Sequence, residues 1–332
     1  MKQLAVLGAG SWGTALAIAL APRFASIRIW TRDAGRATEI SSVRENHRYL
    51  PGFSLPDGAQ VSSDLAFVLA DADIVLCAVP SSHLRHVLTA ANKFFLRNPI
   101  VVSATKGIEE QSLSRMSQVV AEALDSVRST PIAVLSGPTF AKEIAAGEPA
   151  AVVVAAQDIE IARQIQHAFA TPALRLYAST DVVGVEIGAA LKNIVAIGSG
   201  ICRGLGLGSN SVAALITRGL AEITRLALKL GGDPRTLSGL AGLGDLVLTS
   251  TGDLSRNRYV GIQLGQGRNL TEILAGMTMI AEGVSSCRAA YQLGMNENVN
   301  LPIINQMYSV LYEGKDPRYA IRDLMERPLT NE

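Results

Sequence analysis

Lys192 stands alone among small and apolar residues in a segment with helical periodicity. On a helix, its neighbours three and four positions away are Gly188, Ala189, Val195 and Ala196. A lysine on such a face buries its hydrocarbon stem, and a buried amine needs a charged partner or a lowered pKa. Either condition suits an amine for proton transfer near neutral pH. The sequence therefore indicates a catalytic role, the alternative being a structural lysine at a domain junction that reaches solvent.

Two polar segments further along the chain suit substrate binding. Asp245 follows a glycine-rich apolar stretch, and its carboxylate would orient Lys192 or accept a hydrogen bond from a substrate hydroxyl. The alternative for Asp245 is a helix cap. Ser255 is a natural N-cap for the next helical pattern, which puts Arg256 and Asn257 in its first turn. A helix N-terminus with a guanidinium suits a phosphate, although a capped surface helix has the same pattern.

Residues 8–13 (GAGSWG) form a glycine-rich loop between an apolar run and a helical pattern. This is GxGxxG in the strand, loop and helix order that dinucleotide binding requires. Gly8 permits the tight turn, Gly10 lets a pyrophosphate approach the backbone, and Gly13 lets the helix pack close to the strand. The free N–H groups of the new helix then face the anion. An ordinary glycine-rich turn is the alternative, but it does not explain the order of the elements.

Cofactor choice depends on Arg32 and Asp33, which end the second β-like run. An acid roughly 20 residues beyond the glycine loop usually binds the ribose hydroxyls of NAD(H), and Asp33 has that position. Arg32 can pair with the 2′-phosphate of NADP(H) and stack on adenine. We therefore expect NAD(H) or NADP(H) as cofactor, with NADPH slightly favoured. Lys106, in ATKG at 104–107, is a candidate ligand contact at a strand end; a solvated loop residue is the alternative for Lys106 and Asp33.

The first half of the chain alternates β-like and helical segments. The β-like runs are short and almost continuously apolar, as in strands covered on both faces; they are 4–7, 27–30, 74–79, 100–104, 132–135, 151–155 and 174–177. This alternation predicts an α/β fold with a Rossmann-like, doubly wound and mostly parallel sheet. Because strand ends line the ligand crevice of such a sheet, the glycine loop, Arg32 and Lys106 should face the same cavity.

Long helical patterns replace the strands in the second half. They cover 184–202, 211–230, 256–265, 283–293, 302–312 and 317–325, with Gly and Pro between them. We predict an NAD(P)-binding Rossmann-like domain over residues 1–182 and an all-helical substrate and catalytic domain over residues 183–332. Boundary error puts the junction between about 178 and 190.

Charge and composition limit the partners. The 30 Lys and Arg and 29 Asp and Glu leave a net charge of +1, so we expect no nucleic acid or acidic membrane as partner. Any anion must be held by local geometry. The apolar stretch 182–202 contains Glu186, Lys192 and Asn193, which are costly in lipid, so we expect no membrane insertion.

The cysteines and histidines give no sign of a metal site. Cys77, Cys202 and Cys287 are far apart, which argues against a disulfide framework or zinc and favours a reducing compartment, so we predict a cytoplasmic protein. His83 and His86 lack carboxylate or thiolate neighbours, and a solvated helix face is the better interpretation. We expect no metal.

Six motifs in order resemble those of the bacterial NAD(P)-dependent glycerol-3-phosphate dehydrogenases. They are GAGSWG at 8–13, ATKG at 104–107, SGPTFAKE at 136–143, LKN at 191–193, GLGD at 242–245 and SRN at 255–257. The resemblance runs from residue 1 to about residue 325. It implies a Rossmann domain joined to helices and the reversible reduction of dihydroxyacetone phosphate to sn-glycerol 3-phosphate, without a metal. It also implies a role in supplying glycerol phosphate for phospholipid synthesis.

The resemblance further implies which residues form the site. Cofactor contacts would come, besides the three glycines of the loop, from Ser11, Trp12, Arg32, Lys106, Ala141, Arg256, Ile280 and Glu282. Glycerol phosphate would be held by Lys106, Gly137, Thr139, Lys192, Asp245, Ser255, Arg256 and Asn257. Lys192 would be the proton donor and acceptor. Arg32 stands where many relatives have His, which leaves the cofactor preference open. For the oligomeric state, we take a homodimer as the hypothesis.

Two other functions are compatible with the sequence. A β-hydroxyacid or 6-phosphogluconate-type dehydrogenase also joins a Rossmann domain to helices and uses a lysine; comparing dihydroxyacetone phosphate with hydroxyacids separates the two. A non-enzymatic nucleotide sensor needs neither Lys192 nor Asp245. Failure to oxidise NAD(P)H with any ketone would favour the sensor.

Overall fold

A sheet of eight strands forms the centre of the first half of the molecule. The computed structural model describes residues 3–124 and 130–329, and within them the strands are β1 (Gln3–Leu7), β2 (Ser26–Trp30), β3 (Glu45–Asn46), β4 (Leu50–Ser54), β5 (Ala59–Ser62), β6 (Ile74–Cys77), β7 (Ile100–Ser103), β8 (Ile132–Ser136), β9 (Ala150–Ala155) and β10 (Leu174–Ser179). The sheet order is β10-β9-β8-β7-β6-β1-β2-β5, and β3 pairs with β4 in a separate hairpin. Each β-like run predicted from the sequence coincides with a strand.

The sheet is mostly parallel, as predicted. All neighbours are parallel except β8 and β9, so β9 and β10 run opposite to the rest. Strand β1 is buried along its whole length, with Leu4 and Val6 in the core of one face and Ala5 and Leu7 in the core of the other. This explains the apolar run that follows Gln3 in the strand, because successive side chains of a strand point to opposite faces.

Helices cover both faces of the sheet. In chain order they are α1 (Ser11–Leu20), α2 (Ala34–Val43), α3 (Leu65–Leu69), α4 (Ser81–Ala91), α5 (Met116–Ala123), α6 (Ala141–Ala145) and α7 (Ile159–Phe169). Three of them begin with an aspartate whose carboxylate accepts a hydrogen bond from the first turn, namely Asp33, Asp64 and Asp158.

The second half is helical, as predicted. Its helices are α8 (Val182–Gly204), α9 (Ser209–Lys229), α10 (Pro234–Leu237), α11 (Asp245–Thr251), α12 (Arg256–Gly265), α13 (Leu270–Ala275), α14 (Glu282–Asn296), α15 (Pro302–Tyr312) and α16 (Pro317–Met325). A π-helical turn, Leu240–Gly244, precedes α11. In the part of the chain that the structure describes, α8 alone has the length and composition of a membrane span, and 89% of its apolar window is buried inside the molecule, as in core helices of many proteins.

Helices α8 and α12 meet backbone to backbone. A Cβ added at Gly261 would lie 1.9 Å from the carbonyl oxygen of Ile197, and one added at Gly200 would lie 2.1 Å from that of Arg258. No side chain fits between the helices at these positions. The contact joins α12 to the part of α8 that follows Lys192, and so limits how the first turn of α12 can lie relative to that lysine.

Sequence patterns did not indicate the hairpin β3–β4 or the edge strand β5. Residues 50–58 contain two prolines and two glycines, which weaken a strand pattern. Tertiary contacts stabilise the hairpin instead: the buried side chain of Asn46 donates from Nδ2 to the carbonyl oxygen of Ala9 (3.0 Å) and to Thr14 Oγ1 (2.8 Å). The hairpin is thereby tied to the glycine loop.

Candidate active site

The glycine loop has the geometry expected of a dinucleotide-binding turn. Gly8 has φ +119°, and a Cβ there would lie 2.8 Å from the carbonyl oxygen of Ala78. At Gly13, a Cβ would lie 2.0 Å from the carbonyl oxygen of Gly8, so only glycine lets α1 pack this close. Gly10 has no heavy atom within 4 Å of an added Cβ and is the N-cap of α1 without a side-chain cap. The loop thus leaves open space at the N–H groups that begin α1.

A buried carboxylate joins two lysines from distant parts of the chain. Lys192 Nζ donates to Asp245 Oδ1 (2.5 Å) and to Thr249 Oγ1 (2.7 Å). Lys106 Nζ donates to Asp245 Oδ2 (2.7 Å) and to the carbonyl oxygen of Gly137 (3.2 Å). Asp245 is fully buried and Lys192 is 4% exposed. The partner that burial of Lys192 required is therefore Asp245.

Burial and charge set the protonation of this cluster. Burial lowers the pKa of Lys192 to about 7, although Asp245 pulls it upward and Lys106 pushes it further down. Burial also raises the pKa of Asp245, but the two lysines outweigh it and hold that carboxyl below its ordinary pKa. Asp245 thus stays ionised, whereas Lys192 can exchange a proton near pH 7.

Sequence analysis missed Thr249, which completes the cluster. Asp245 and Thr249 lie four residues apart on α11, so both side chains point to Lys192 from one helix face. That spacing was readable in the sequence, but α11 itself was not predicted.

The first turn of α12 lies at the same cavity. Ser255 is its N-cap, as predicted, and its Oγ accepts from Arg258 N (3.2 Å). The Arg256 guanidinium donates to the carbonyl oxygen of Ile280 (2.9 Å), which leaves further N–H groups of its fork for a ligand. Burial lowers the pKa of Arg256, yet a guanidinium stays charged at any working pH.

Side-chain amides connect this turn to Lys192. Asn257 Nδ2 donates to Asn193 Oδ1 (3.0 Å), and Asn257 Oδ1 accepts from Gly283 N (2.9 Å). Asn193 follows Lys192 on α8, and Gly283 lies in the first turn of α14. Three helices are therefore held in register around the cavity, and Asn193 is a second residue whose place the sequence did not indicate.

Glu282 links α14 to the Rossmann-like half. Its carboxylate accepts from Ser81 N (3.1 Å) and Ser81 Oγ (2.5 Å), at the start of α4. Burial raises the pKa of Glu282, while the hydrogen bonds from Ser81 and the charge of Arg256 oppose the rise. Glu282 therefore connects the two halves at the edge of the cavity.

One cavity of about 770 Å³ contains most of the predicted site residues. The predicted residues that line it are Gly8, Gly10, Ser11, Trp12, Arg32, Lys106, Thr139, Ala141, Lys192, Ser255, Arg256, Asn257, Ile280 and Glu282. Three predicted residues do not line the cavity but lie directly behind the residues that do. Gly13 supports the loop, Gly137 receives the hydrogen bond from Lys106, and Asp245 lies beneath both lysines.

Asp33, His83 and His86 also line the cavity, and the structure adds to the sequence interpretation of each. Asp33 is the N-cap of α2, and its Oδ1 accepts from Arg36 N (3.1 Å); the side chain is 57% exposed, so acceptor sites on the carboxylate remain open to a ligand. His83 and His86 are exposed on α4, as expected, but both also line the cavity. Within residues 3–124 and 130–329, no cluster of His, Cys, Asp or Glu is arranged to hold a metal ion.

Fold and cavity together define a class of protein. A doubly wound sheet with this glycine loop binds a dinucleotide at its strand ends, and a buried lysine near neutral pKa beside that site serves proton transfer. The class is that of nicotinamide-dinucleotide-dependent dehydrogenases. Residues 3–162 match the family model for the N-terminus of NAD-dependent glycerol-3-phosphate dehydrogenase, and residues 181–322 match the model for its C-terminus. The chain belongs to this family.

Curated relatives are similar to this chain over its full length. The chain is 50% identical to glycerol-3-phosphate dehydrogenase (NAD(P)+) of Koribacter versatilis, covering 100% of this chain and 99% of that protein. It is 49% identical to the protein of the same name from Geobacter sp., with the same coverage. The crystal structure of glycerol-3-phosphate dehydrogenase from Coxiella burnetii has a TM-score of 0.94 and 37% identity, covering 98% of this chain and 99% of that one.

Proposed function

We propose that this chain catalyses the reversible, NAD(P)H-dependent reduction of dihydroxyacetone phosphate to sn-glycerol 3-phosphate. One observation carries the proposal: the Lys192–Asp245–Lys106 cluster and the first turn of α12 border the cavity that begins at the glycine loop. A general acid, an anion site and a dinucleotide loop are the components that reduction of a phosphorylated ketone requires.

The residues at the glycine loop fit a dinucleotide. Space at Gly10 and the uncapped N–H groups of α1 suit a pyrophosphate. The Trp12 indole N–H is buried without a hydrogen-bond partner among the described residues, which suits a ligand acceptor. Ser11, Arg32, Ala141, Ile280 and Glu282 would hold the remaining parts of the cofactor. When bound, the nicotinamide exchanges a hydride with the substrate carbon.

Lys192 is the proposed proton donor in reduction and acceptor in oxidation. Negative charge develops on the carbonyl oxygen as the ketone is reduced, and Lys192 Nζ supplies the proton. Asp245 orients Nζ and keeps part of the Lys192 population protonated near pH 7, because it raises the pKa that burial lowers. Lys106, 16% exposed at its side chain, adds a positive charge at the substrate end of Asp245.

The first turn of α12 is the proposed phosphate site. The Arg256 guanidinium, the Asn257 side chain and the backbone near Ser255 converge there. Thr139, which lines the cavity, would complete the contacts to glycerol phosphate, with the Gly137 backbone directly behind it. The Gly137 carbonyl oxygen accepts from both Thr139 Oγ1 and Lys106 Nζ. Binding the phosphate away from the reacting carbon uses remote binding energy to orient the ketone.

A substrate panel with each cofactor tests this function. The purified chain should consume NADPH or NADH, followed by nicotinamide absorbance, with dihydroxyacetone phosphate and far less with keto acids. In the opposite direction it should reduce NAD(P)+ with glycerol 3-phosphate and far less with β-hydroxyacids. Lys192→Ala should lower turnover about a hundredfold or more but keep cofactor binding, whereas the exposed Lys229→Ala should match the parent. Turnover with hydroxyacids or keto acids alone would overturn the proposed substrate. Near-normal turnover of Lys192→Ala would overturn the proposed general acid.

We extend the proposal to the setting of the enzyme. The product suits phospholipid synthesis, and the three buried free cysteines suit the cytoplasm. Residues 1–182 would carry the cofactor and residues 183–332 the substrate, with NADPH as the preferred reductant. A homodimer is the proposed assembly, which light scattering of the purified protein tests.

A further inference from the structure

Three arginines border one end of the cavity. They are Arg32, at the end of β2, Arg36, on α2, and Arg48, in the turn of the β3–β4 hairpin. The proposed function uses Arg32 and leaves Arg36 and Arg48 without a role. Both lie at the end where the strand order puts the adenosine of a dinucleotide, because β2 follows the glycine loop of β1.

The guanidiniums of Arg36 and Arg48 both contact the ring of Tyr49. Arg36 Cζ lies 4.9 Å from the centroid of the Tyr49 ring, and Arg48 Cζ lies 5.5 Å from it. Both distances are those of cation–π contacts. Like charges held near one ring repel each other, so an anion bound between them would stabilise the arrangement.

The acid at this end, Asp33, is partly engaged by α2. Asp33 Oδ1 accepts from Arg36 N, and Oδ2 lies 3.9 Å from Arg36 Nη2. A ribose with free 2′- and 3′-hydroxyls is normally bound by an acid of this position. Here Oδ1 also caps α2 and Oδ2 also faces a guanidinium, so three arginines border this end of the cavity beside a single, partly engaged carboxylate.

The hairpin is held where Arg48 and Tyr49 can reach a cofactor. Asn46 is 1% exposed and hydrogen bonds to Ala9 and Thr14, on either side of the loop turn. Two residues later the chain reaches Arg48. The position of this arginine therefore depends on a buried contact with the dinucleotide loop and not on the local sequence.

We infer that Arg36 and Arg48, held on Tyr49, act with Arg32 as the residues that bind the 2′-phosphate of NADP(H) and set the cofactor preference. The inference rests on the proposed function in that it concerns the same dinucleotide site. A 2′-phosphate carries close to two negative charges and three acceptor oxygens, which match guanidinium donors. NAD(H) has only hydroxyls at this place.

Fragment binding tests the inference without turnover. Calorimetric titration should give tighter binding of adenosine 2′,5′-bisphosphate than of 5′-AMP to the parent chain. Arg48→Ala and Arg36→Ala should each weaken the bisphosphate by about ten- to a hundredfold and change 5′-AMP by less than about threefold. Arg163→Ala, which removes an exposed arginine of α7 outside the cavity, is the matched control and should change neither.

Kinetics then separates this inference from the proposed function. The ratio of kcat/KM for NADPH over NADH, with dihydroxyacetone phosphate, should fall about tenfold or more in Arg48→Ala, and Arg48→Lys should recover part of it. Equal binding of both fragments by the parent, or an unchanged ratio in Arg48→Ala, would overturn the inference while leaving the reaction intact. A parent that selects the bisphosphate but does not reduce dihydroxyacetone phosphate would uphold the inference and refute the proposed substrate.

Discussion

The pH dependence of catalysis tests the environment of Lys192. Burial lowers its pKa from an ordinary 10.5 to about 7. At pH 7 an amine with the ordinary pKa is neutral in about one molecule in three thousand, whereas a pKa near 7 makes about half of it neutral. The buried site therefore enlarges the population of the base about a thousandfold and still keeps the acid available.

The two directions of the reaction should respond to pH with opposite signs. Reduction needs the ammonium form, so kcat/KM for dihydroxyacetone phosphate should fall as pH rises through about 7. Oxidation needs the neutral amine, so kcat/KM for glycerol 3-phosphate should rise through the same pH. The phosphate of both substrates ionises at about pH 6 and acts in the same sense in both directions. Because the reaction itself consumes a proton, the inflection near pH 7 shared by both directions, and its loss in Lys192→Ala, identify Lys192.

Asp245→Asn provides the perturbation, because it removes a charge and keeps the size of the side chain. Asp245 raises the pKa of Lys192, so its loss should move the inflection to lower pH by about one unit or more. A one-unit shift removes about four-fifths of the ammonium present at pH 7. Initial rates across pH, in both directions and at low substrate, measure the effect.

Three outcomes would refute this reasoning. Slopes of the same sign in both directions would mean that Lys192 does not exchange the proton. An inflection that stays in place, or rises, in Asp245→Asn would remove the carboxylate from the argument. A residual inflection near pH 7 in Lys192→Ala, whose rate should fall about a hundredfold or more, would assign the titration to another group.

Further substitutions test the phosphate site and the packing. Arg256→Ala should lower kcat/KM for dihydroxyacetone phosphate about ten- to a hundredfold, because a charged hydrogen bond contributes about 1.5–3 kcal/mol. Unphosphorylated dihydroxyacetone should lose much less, and an unchanged ratio would put the phosphate elsewhere. Gly261→Ala places a methyl 1.9 Å from a carbonyl oxygen of α8 and should lower the free energy of unfolding by about 1–3 kcal/mol in denaturant titrations. A loss no larger than that of Gly58→Ala, where an added Cβ meets nothing within 4 Å, would contradict the backbone contact. Arg115→Ala leaves the buried Glu186 carboxylate without the guanidinium 2.5 Å away and should cost about 3–5 kcal/mol of stability. Adding Glu186→Gln should restore part of it, and no recovery would assign the loss to another contact.

Local signals made much of the fold predictable. Helices α12, α15 and α16 have the predicted limits because capping residues, prolines and apolar periodicity lie within a few positions of each end. The glycine loop was readable for the same reason. Each of its glycines is needed because of the turn itself or because of a neighbouring segment that packs against it. The GxGxxG pattern records these positions in the order in which they occur.

Burial of Lys192 was also readable, since its helical neighbours are small and apolar. Asp245 was a candidate partner with an alternative role, and the sequence did not indicate that Lys106 and Thr249 join it. Asp245 lies 53 residues further along the chain, and Lys106 lies 139 residues before Asp245. Periodicity indicated that the charge needed a counter-charge, but only packing of α11 against α8 selected which carboxylate supplies it.

The sequence by itself determined the class of fold, the dinucleotide loop and the need for a partner at Lys192, because these depend on contacts within one turn or one helix. Tertiary structure decided the pairing of two lysines on Asp245 and the position of Arg48. Each of these depends on residues far apart in the chain, brought together by burial: Asn46 anchors a hairpin with little strand propensity to the glycine loop. Side-chain chemistry sets what each group can do, and the packing of distant elements sets which groups meet.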